Sequence, residues 1–188
     1  MNVFFVDRDP YLAASMLCDK HVIKMILESA QLLSTTHRLL DGTSVKSGKR
    51  VKYVLSEPEE SNIYKMTHEN HPCAVWVRQS HQHYDWLYEH AIGLCDEYSR
   101  RYFCRTHKTR RILENYLVDT PRNIPVGCFL DPPQCMPEQY RQDDVVSAYR
   151  SYYIGDKARI AKWSAPAKVP DWFTMKVGNE TLNQYEVS

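Results

Sequence analysis

Residues 18–38, with the sequence CDKHVIKMILESAQLLSTTHR, constrain the fold more than any other stretch of this chain. At the helical step of roughly 100° per residue, five polar side chains fall within an arc of about 80°: His21, Lys24, Glu28, Gln31 and Thr35. Most of the remaining circumference is apolar, whereas a surface helix usually gives about half of its circumference to polar side chains. The pattern predicts a central helix in which this polar stripe lines a site.

The polar stripe has two interpretations. In general, such groups are more often a solvated seam or buried groups satisfied by a neighbouring helix. Here His21, Lys24 and Glu28 are titratable groups at positions i, i+3 and i+7, so each can reach the next and change its pKa. A carboxylate between a cation and an apolar wall suits general acid/base chemistry. Lys24 would be an amine nucleophile if it were desolvated, although an ion pair with Glu28 is the commoner reason for that spacing.

Capping residues and helix breakers divide the chain into helices around one core. Asp9-Pro10 is typical of an N-cap followed by the first helical residue, and Asp41-Gly42 ends the pattern, with Asp19 available as a second cap. We expect an all-α, compact bundle of about four helices, forming a single domain over 1–188. Its other expected parts are a basic loop or hairpin over 41–67, a helix over 72–102, a short helix from Thr106 to Val118, a proline-rich loop over 119–142, a helix capped by Asp143 or Asp144, an extended "DWF" segment, and a frayed tail over 174–188.

The charge balance gives no general sign of a nucleic-acid-binding protein. The formal net charge is +1 and the pI is near 7.6. A strongly basic surface is therefore excluded, and only local clusters of basic residues remain for such binding. One cluster comprises Lys46, Lys49, Arg50 and Lys52.

The cysteines and the apolar runs indicate where the protein is found. Six cysteines are widely spread, without a C-x-x-C pair, which favours reduced thiols over a disulfide framework. The opening MNVFF is too short for a signal peptide, and no run reaches the length of a membrane span. We expect a cytoplasmic monomer with no membrane partner.

Histidines form a second group of candidate residues. His68, Glu69 and His71 do not have the H-E-x-x-H spacing of a zinc protease. His83, His90 and Glu97 recur at seven-residue steps, which permits a metal site but is commoner among core or surface histidines. His71 precedes Pro72 at a predicted helix N-terminus, where backbone N–H groups attract anions, so a phosphate near His71 and Arg78 is an option.

Basic and aromatic residues alternate in AYRSYYIGDKARIAKW, near the C-terminus. Positive groups beside aromatic faces suit single-stranded nucleic acid or flipped bases, but at helical spacing the same aromatic residues are equally suited to a core. The candidates for substrate binding in this segment are Arg150, Tyr152, Tyr153, Lys157 and Trp163.

Two segments carry a resemblance to a known family. DPYLAASMLCDKHVIKMILESAQLL and NHPCAVW, followed by YDWL and GLCDEYSRR, resemble the pyrimidine-dimer DNA glycosylase (endonuclease V) family of phages and bacteria, and are most similar to its bacterial branch. The resemblance covers residues 1–38 and 68–102, and more weakly 145–163.

The resemblance implies a helical enzyme that flips a base and attacks the sugar C1′ with an α-amino group. A Schiff base forms, the base leaves, and β-elimination nicks the strand. Glu28 would be the assisting glutamate, His21 the neighbouring histidine and Met1 the source of the amine. An α-amine with an ordinary pKa near 8 is neutral at pH 7 more often than a lysine near 10.4, although Lys24 or Lys20 remains an alternative nucleophile. This chemistry needs no metal or organic cofactor, and we expect none.

The leading hypothesis is a DNA glycosylase with lyase activity on damaged or modified pyrimidines. Basic residues that flank the glutamate in the phage enzyme are absent here, where Leu27 and Gln31 stand, which leaves a smaller nucleotide substrate open. One alternative is a non-catalytic protein that binds nucleotides or modified bases. Another is a metal-dependent hydrolase that uses His71, His83 and His90.

Overall fold

The computed structural model describes residues 1–48 and 50–177, and it confirms the mainly helical fold. The predicted long helices are divided into shorter ones. In chain order the elements are α1 (Pro10–Met16), α2 (Asp19–Asp41), β1 (Thr43–Ser47), β2 (Arg50–Val54), α3 (Glu59–Asn62), α4 (Pro72–Val77), α5 (His81–Arg101), α6 (Arg110–Tyr116), α7 (Val145–Tyr152) and α8 (Asp171–Val177). A π turn (Tyr153–Lys157) and a short 3-10 turn (Ala158–Ile160) follow α7 directly.

Two extended residues interrupt the helical conformation between α1 and α2. Asp9 caps α1 as predicted, its carboxylate accepting from the N–H groups of the next turn. At the break, the N–H of Cys18 donates to the Tyr153 hydroxyl and the N–H of Asp19 donates to the Lys162 carbonyl. The C-terminal region thus replaces the backbone partners that a continuous helix would provide.

Helices α2 and α5 are antiparallel and form the centre of the core. Near the start of α5, the Tyr84 hydroxyl lies 2.8 Å from Nε2 of His37, which belongs to the last turns of α2. At the other end, Arg101 lies 3.2 Å from the carboxylate of Asp19, the first residue of α2. Helix α1 packs across α5 at Gly93, where a Cβ atom would lie only 3.0 Å from that of Ala14. Leucine, valine and aromatic side chains fill the space between these helices.

The prediction of one helix over 72–102 was wrong, because Ser80 separates α4 from α5. Ser80 is extended, its hydroxyl accepts from the Gln82 N–H, and it also donates to the Gly127 carbonyl. Pro72 begins α4 as predicted. The third helix starts later than expected, with Thr109 rather than Thr106 at its N-cap.

The segment over 43–54 is a two-stranded antiparallel hairpin, in which Thr43 pairs with Val54 and Ser47 with Arg50. Gly48 has a φ of 62° at the turn, which suits glycine. Lys49, one residue of the predicted basic cluster, lies outside the described residues.

The C-terminal part differs from the prediction after α7, whose cap is Asp144. The "DWF" segment was predicted to be extended, but it begins helix α8. The predicted tail over 174–188 therefore starts within that helix, and residues 178–188 lie outside the described residues. Among the helices described here, none combines the length and the apolar composition that crossing a membrane would need.

Candidate functional site

The first residue of the polar stripe, His21, lies in an aromatic enclosure. Its side chain is buried, and its ring stacks on that of Phe4 with centroids 4.3 Å apart. On the edge of the ring, Nδ1 lies 2.8 Å from the hydroxyl of Tyr153. Phe4 itself has a φ of 47°, a backbone conformation that non-glycine residues adopt rarely and that clusters at functional sites.

This enclosure keeps His21 neutral. Burial, followed by the charges of Lys157 and Lys24, lowers its pKa to about 4. Because the Tyr153 hydroxyl accepts the N–H of Cys18, its own proton is available for Nδ1, which places the imidazole proton on Nε2. His21 at pH 7 is therefore suited to donating a hydrogen bond from Nε2 and poorly suited to accepting a proton.

The middle of the polar stripe contains an ion pair. Lys24 Nζ lies 3.1 Å from the Glu28 carboxylate, and the two side chains differ in exposure, 65% for Lys24 and 14% for Glu28. The carboxylate is thus held close to the protein surface while the ammonium extends into solvent. Gln31, one turn further, is half-buried.

The far end of the polar stripe is closed by backbone. Thr35 Oγ1 donates to the Thr67 carbonyl at 3.2 Å and accepts the Thr67 N–H at 3.1 Å. Both interpretations of the polar stripe therefore apply in part: His21 and Thr35 are satisfied by neighbouring segments, whereas Lys24, Glu28 and Gln31 retain exposure to solvent.

The N-terminal segment is fixed beside the polar stripe. The buried Asn2 side chain accepts the N–H groups of Val3 and Phe4 through Oδ1 and donates to the Cys135 carbonyl at 2.9 Å through Nδ2. Residues 3–6 are buried in the core, and half-buried Met1 packs against it. Residues 3–6 therefore hold the N-terminus in the core.

The N-terminal amine and Glu28 influence the same histidine. The pKa of His71 is lowered chiefly by burial and then by the positive charge at Met1, while the negative charge of Glu28 acts in the opposite direction. Met1, Glu28 and His71 consequently share one electrostatic environment, although α2, α4 and the N-terminal segment supply them separately. We call these residues, together with Cys73 and Cys135, the N-terminal cluster.

His71 and Arg78 also have structural tasks. His71 is the N-cap of α4, and its Nδ1 accepts the N–H of Cys73 at 3.2 Å. Arg78 donates through Nη1 to the Glu69 carbonyl at 2.6 Å, which holds the loop over 66–71 against α4. That loop lines an open depression in the protein surface next to His71.

Two thiols complete the N-terminal cluster. All six cysteines are free, in agreement with the expectation of reduced thiols. Cys73 and Cys135 have their sulfur atoms 3.5 Å apart, and donation from the Cys73 thiol lowers the pKa of Cys135. Cys135 was not predicted as a site residue, because it comes from the proline-rich loop, where no periodic pattern marks it.

The other histidines of the predicted metal site lie apart from His71. Both nitrogens of His83 are used, Nδ1 with the Trp76 carbonyl at 2.8 Å and Nε2 with the Leu130 N–H at 2.9 Å. His90 is completely buried against the Trp86 ring, and burial lowers its pKa to about 3. Within residues 1–48 and 50–177, the one group of three side chains spaced for a metal ion comprises His71, Cys73 and Cys135.

The basic and aromatic residues of the C-terminal region mainly hold neighbouring segments of the N-terminal part in position. Arg150 donates to the Val6 carbonyl at 2.8 Å, and Trp163 donates to the Met16 carbonyl at 3.0 Å. Tyr153 is fully buried beneath His21. Tyr152 is half-buried, stacks on Phe4 and has the ammonium of Lys157 4.6 Å from its ring centroid.

Comparison with known proteins gives a match to one family model. No match was found among curated proteins or among solved structures. A family model described as pyrimidine dimer DNA glycosylase matches residues 1–111, more than half of the chain, from the N-terminal segment through α5 to the start of α6. His21, Glu28 and His71 all lie within the matched residues. The chain therefore belongs to the pyrimidine dimer DNA glycosylase family.

Proposed function

We propose that this protein excises damaged or modified pyrimidines from DNA and then cleaves the strand through an amine Schiff base. Family membership supports a glycosylase that acts in DNA repair. One observation carries the finer proposal: Phe4, three residues from the N-terminal amine, stacks on His21 with ring centroids 4.3 Å apart, so the N-terminal segment lies against the polar stripe that also contains Glu28.

The reaction begins at the deoxyribose C1′ of a flipped nucleotide. The neutral nitrogen of Met1 forms a bond to C1′ and gives up a proton, and the bond to the base breaks with its electron pair leaving on the base, which takes up a proton. Opening of the sugar ring then gives an iminium ion. Loss of a proton from C2′ expels the 3′ phosphate and nicks the strand. A fixed carboxylate at Glu28 stabilises the positive charge that develops on the sugar as the glycosidic bond breaks.

The remaining residues of the polar stripe orient the substrate in this proposal. The Nε2 proton of His21 is a hydrogen-bond donor for the sugar or the base. Gln31 and Lys24 contact the nucleotide at the entrance, and Tyr152 offers a stacking face once Lys157 turns to a phosphate. The exposed side chains of Lys46 and Lys52 on the hairpin add contacts to the DNA backbone, compensating for a low net charge. Free thiols suit a reducing cytoplasm.

Borohydride trapping tests the reaction type directly, because hydride addition converts the iminium into a stable amine between protein and DNA. The substrates are ultraviolet-irradiated duplexes and duplexes with an abasic site. We expect a covalent adduct with the unmodified chain and none with a variant extended at its N-terminus. An adduct that persists in the extended variant but disappears in Lys24→Gln assigns the nucleophile to Lys24 instead. If no substrate gives an adduct while stoichiometric binding is observed, the protein is a binder and the proposal is wrong.

A further inference from the structure

Three metal-ligating side chains converge beside the N-terminus from two distant parts of the chain. His71 and Cys73 belong to the start of α4, and Cys135 lies 62 residues further along, in the proline-rich loop. Their ligand atoms all lie within 4.8 Å of one another, and the two sulfur atoms are 3.5 Å apart. In a tetrahedral zinc site, Zn–S bonds of about 2.3 Å and Zn–N bonds of about 2.0 Å give ligand separations of roughly 3.5 to 3.8 Å. The two sulfur atoms are already at about this separation, and the other separations, which are at most 4.8 Å, would shorten by up to about 1 Å on binding.

Surrounding contacts hold the backbone of this group in position. The Cys135 carbonyl accepts from Asn2, and the Pro133 carbonyl accepts from the hydroxyl of buried Tyr149 at 2.7 Å. Cys73 is buried within α4, whereas Cys135 borders an open depression that it shares with Pro72, Pro133, Gln134 and Arg141. The site is therefore preorganised and has an entry path for an ion.

We propose that His71, Cys73 and Cys135 bind one zinc ion or a similar thiophilic divalent cation. Two thiolates and an imidazole are a donor set that zinc prefers, and three protein ligands leave a fourth position open. Asn2, the residue after Met1, donates to the Cys135 carbonyl at 2.9 Å, which holds the N-terminus beside this group and makes the amine a candidate for that position. If the proposed Schiff-base chemistry holds, a metal ion bound to the amine makes this nucleophile unavailable for the reaction and inhibits the enzyme.

Cobalt binding provides a spectroscopic test on the full chain with its thiols reduced. Co²⁺ added to the metal-free protein gives a near-ultraviolet charge-transfer band when it is bound by thiolates, and Zn²⁺ displaces it. We expect one ion per chain, and a loss of affinity of at least about 100-fold in Cys135→Ser and in His71→Ala. The matched control is Cys104→Ser, which removes an exposed thiol and leaves binding unchanged. Thermal melting of each variant establishes that it is folded.

Two outcomes overturn the proposal. One is the absence of a thiolate band in the folded, reduced protein. The other is a band of equal strength and affinity in Cys135→Ser. Inhibition is measured separately, by borohydride trapping with and without Zn²⁺: a loss of adduct in the unmodified chain and its persistence in Cys135→Ser are expected. Metal binding without inhibition refutes competition for the amine, whereas failure of trapping without metal refutes the proposed function and leaves the cobalt result intact.

Discussion

Tyr153 joins the C-terminal region to the polar stripe, since its hydroxyl lies 2.8 Å from Nδ1 of His21 and accepts the backbone N–H of Cys18. The matched family region ends at residue 111, so this tyrosine belongs to the part of the chain that the family model does not cover. The orientation of a histidine in the matched region is therefore set by a residue outside it.

Replacing Tyr153 with phenylalanine is expected to destabilise the fold. The Tyr153→Phe variant keeps the ring but leaves Nδ1 of His21 and the N–H of Cys18 buried without partners, which costs about 1–3 kcal/mol. Urea denaturation measures the change in free energy of unfolding. The control is Tyr140→Phe, because Tyr140 is half-buried and its hydroxyl forms no hydrogen bond with the described residues. Equal stability of the two variants would contradict the assigned role of the hydroxyl.

Substitutions of Glu28 and Lys24 are expected to differ in their effect on catalysis but not in their effect on stability. Glu28→Gln preserves shape but removes the charge that stabilises the sugar cation, so adduct formation should slow by about 10²- to 10⁴-fold. Lys24→Gln breaks the same ion pair yet keeps the carboxylate, and should slow trapping less than about tenfold. Both variants should unfold within about 1 kcal/mol of the original chain, because Lys24 is largely exposed. Rates of trapping under single-turnover conditions, measured beside urea denaturation, check both parts.

Local sequence signals predicted the helix starts better than the helix breaks. Asp9, Pro72 and Asp144 act through contacts within their own turn, so the sequence was enough to identify them. The break before Asp19 depends on Tyr153 and Lys162, which lie more than a hundred residues away. Apolar periodicity continues across such a break, because the residues on both sides face the same core.

In the candidate site too, contacts within one helix could be predicted from the sequence, whereas contacts between distant segments could not. The spacing of His21, Lys24 and Glu28 on one helix face predicted that they would be neighbours, and the structure has Lys24 and Glu28 in an ion pair. Periodicity could not reveal that His71 and Cys135 approach the N-terminus, since a proline-rich loop has no repeating pattern from which a contact can be inferred. Tertiary packing alone brings those side chains together.

Arg38 is expected to be one of the most sensitive positions in the fold. Its buried guanidinium pairs with Glu60 at 2.5 Å and donates to the carbonyls of Tyr53 and Tyr64, which fixes the segment between the hairpin and the 66–71 loop on α2. Arg38→Met should lower the free energy of unfolding by about 3–5 kcal/mol, because Glu60 and those carbonyls lose their partner.

The matched control for Arg38→Met is Arg110→Met, which also removes an arginine paired with carboxylates, but ones that are largely exposed. Its cost should stay near 1 kcal/mol or below. Chemical denaturation of the two variants tests the contrast. A loss of similar size in both would show that burial does not determine the contribution of Arg38.

Buried histidines should make the protein sensitive to mild acid. Burial lowers the pKa of His90 to about 3 and that of His21 to about 4 in the folded chain, whereas an unfolded chain has the ordinary value near 6.5. The folded pKa lies below the unfolded one, so protons bind first to the unfolded chain. The stabilisation is complete above pH 6.5 and is lost as the pH falls towards the folded values.

When the pH falls from 7 to 5, each of these histidines should lower the free energy of unfolding by about 2 kcal/mol. The contribution of His90 can be isolated with His90→Phe, which keeps the stacking on Trp86 and removes two ring nitrogens that have no hydrogen-bond partner among the described residues. All other groups titrate in both proteins, so the difference between their stability curves belongs to His90. We expect the variant to lose about 2 kcal/mol less than the original chain over this range in urea denaturation. Parallel curves would mean that His90 has the same pKa in the folded and the unfolded chain, contrary to its burial.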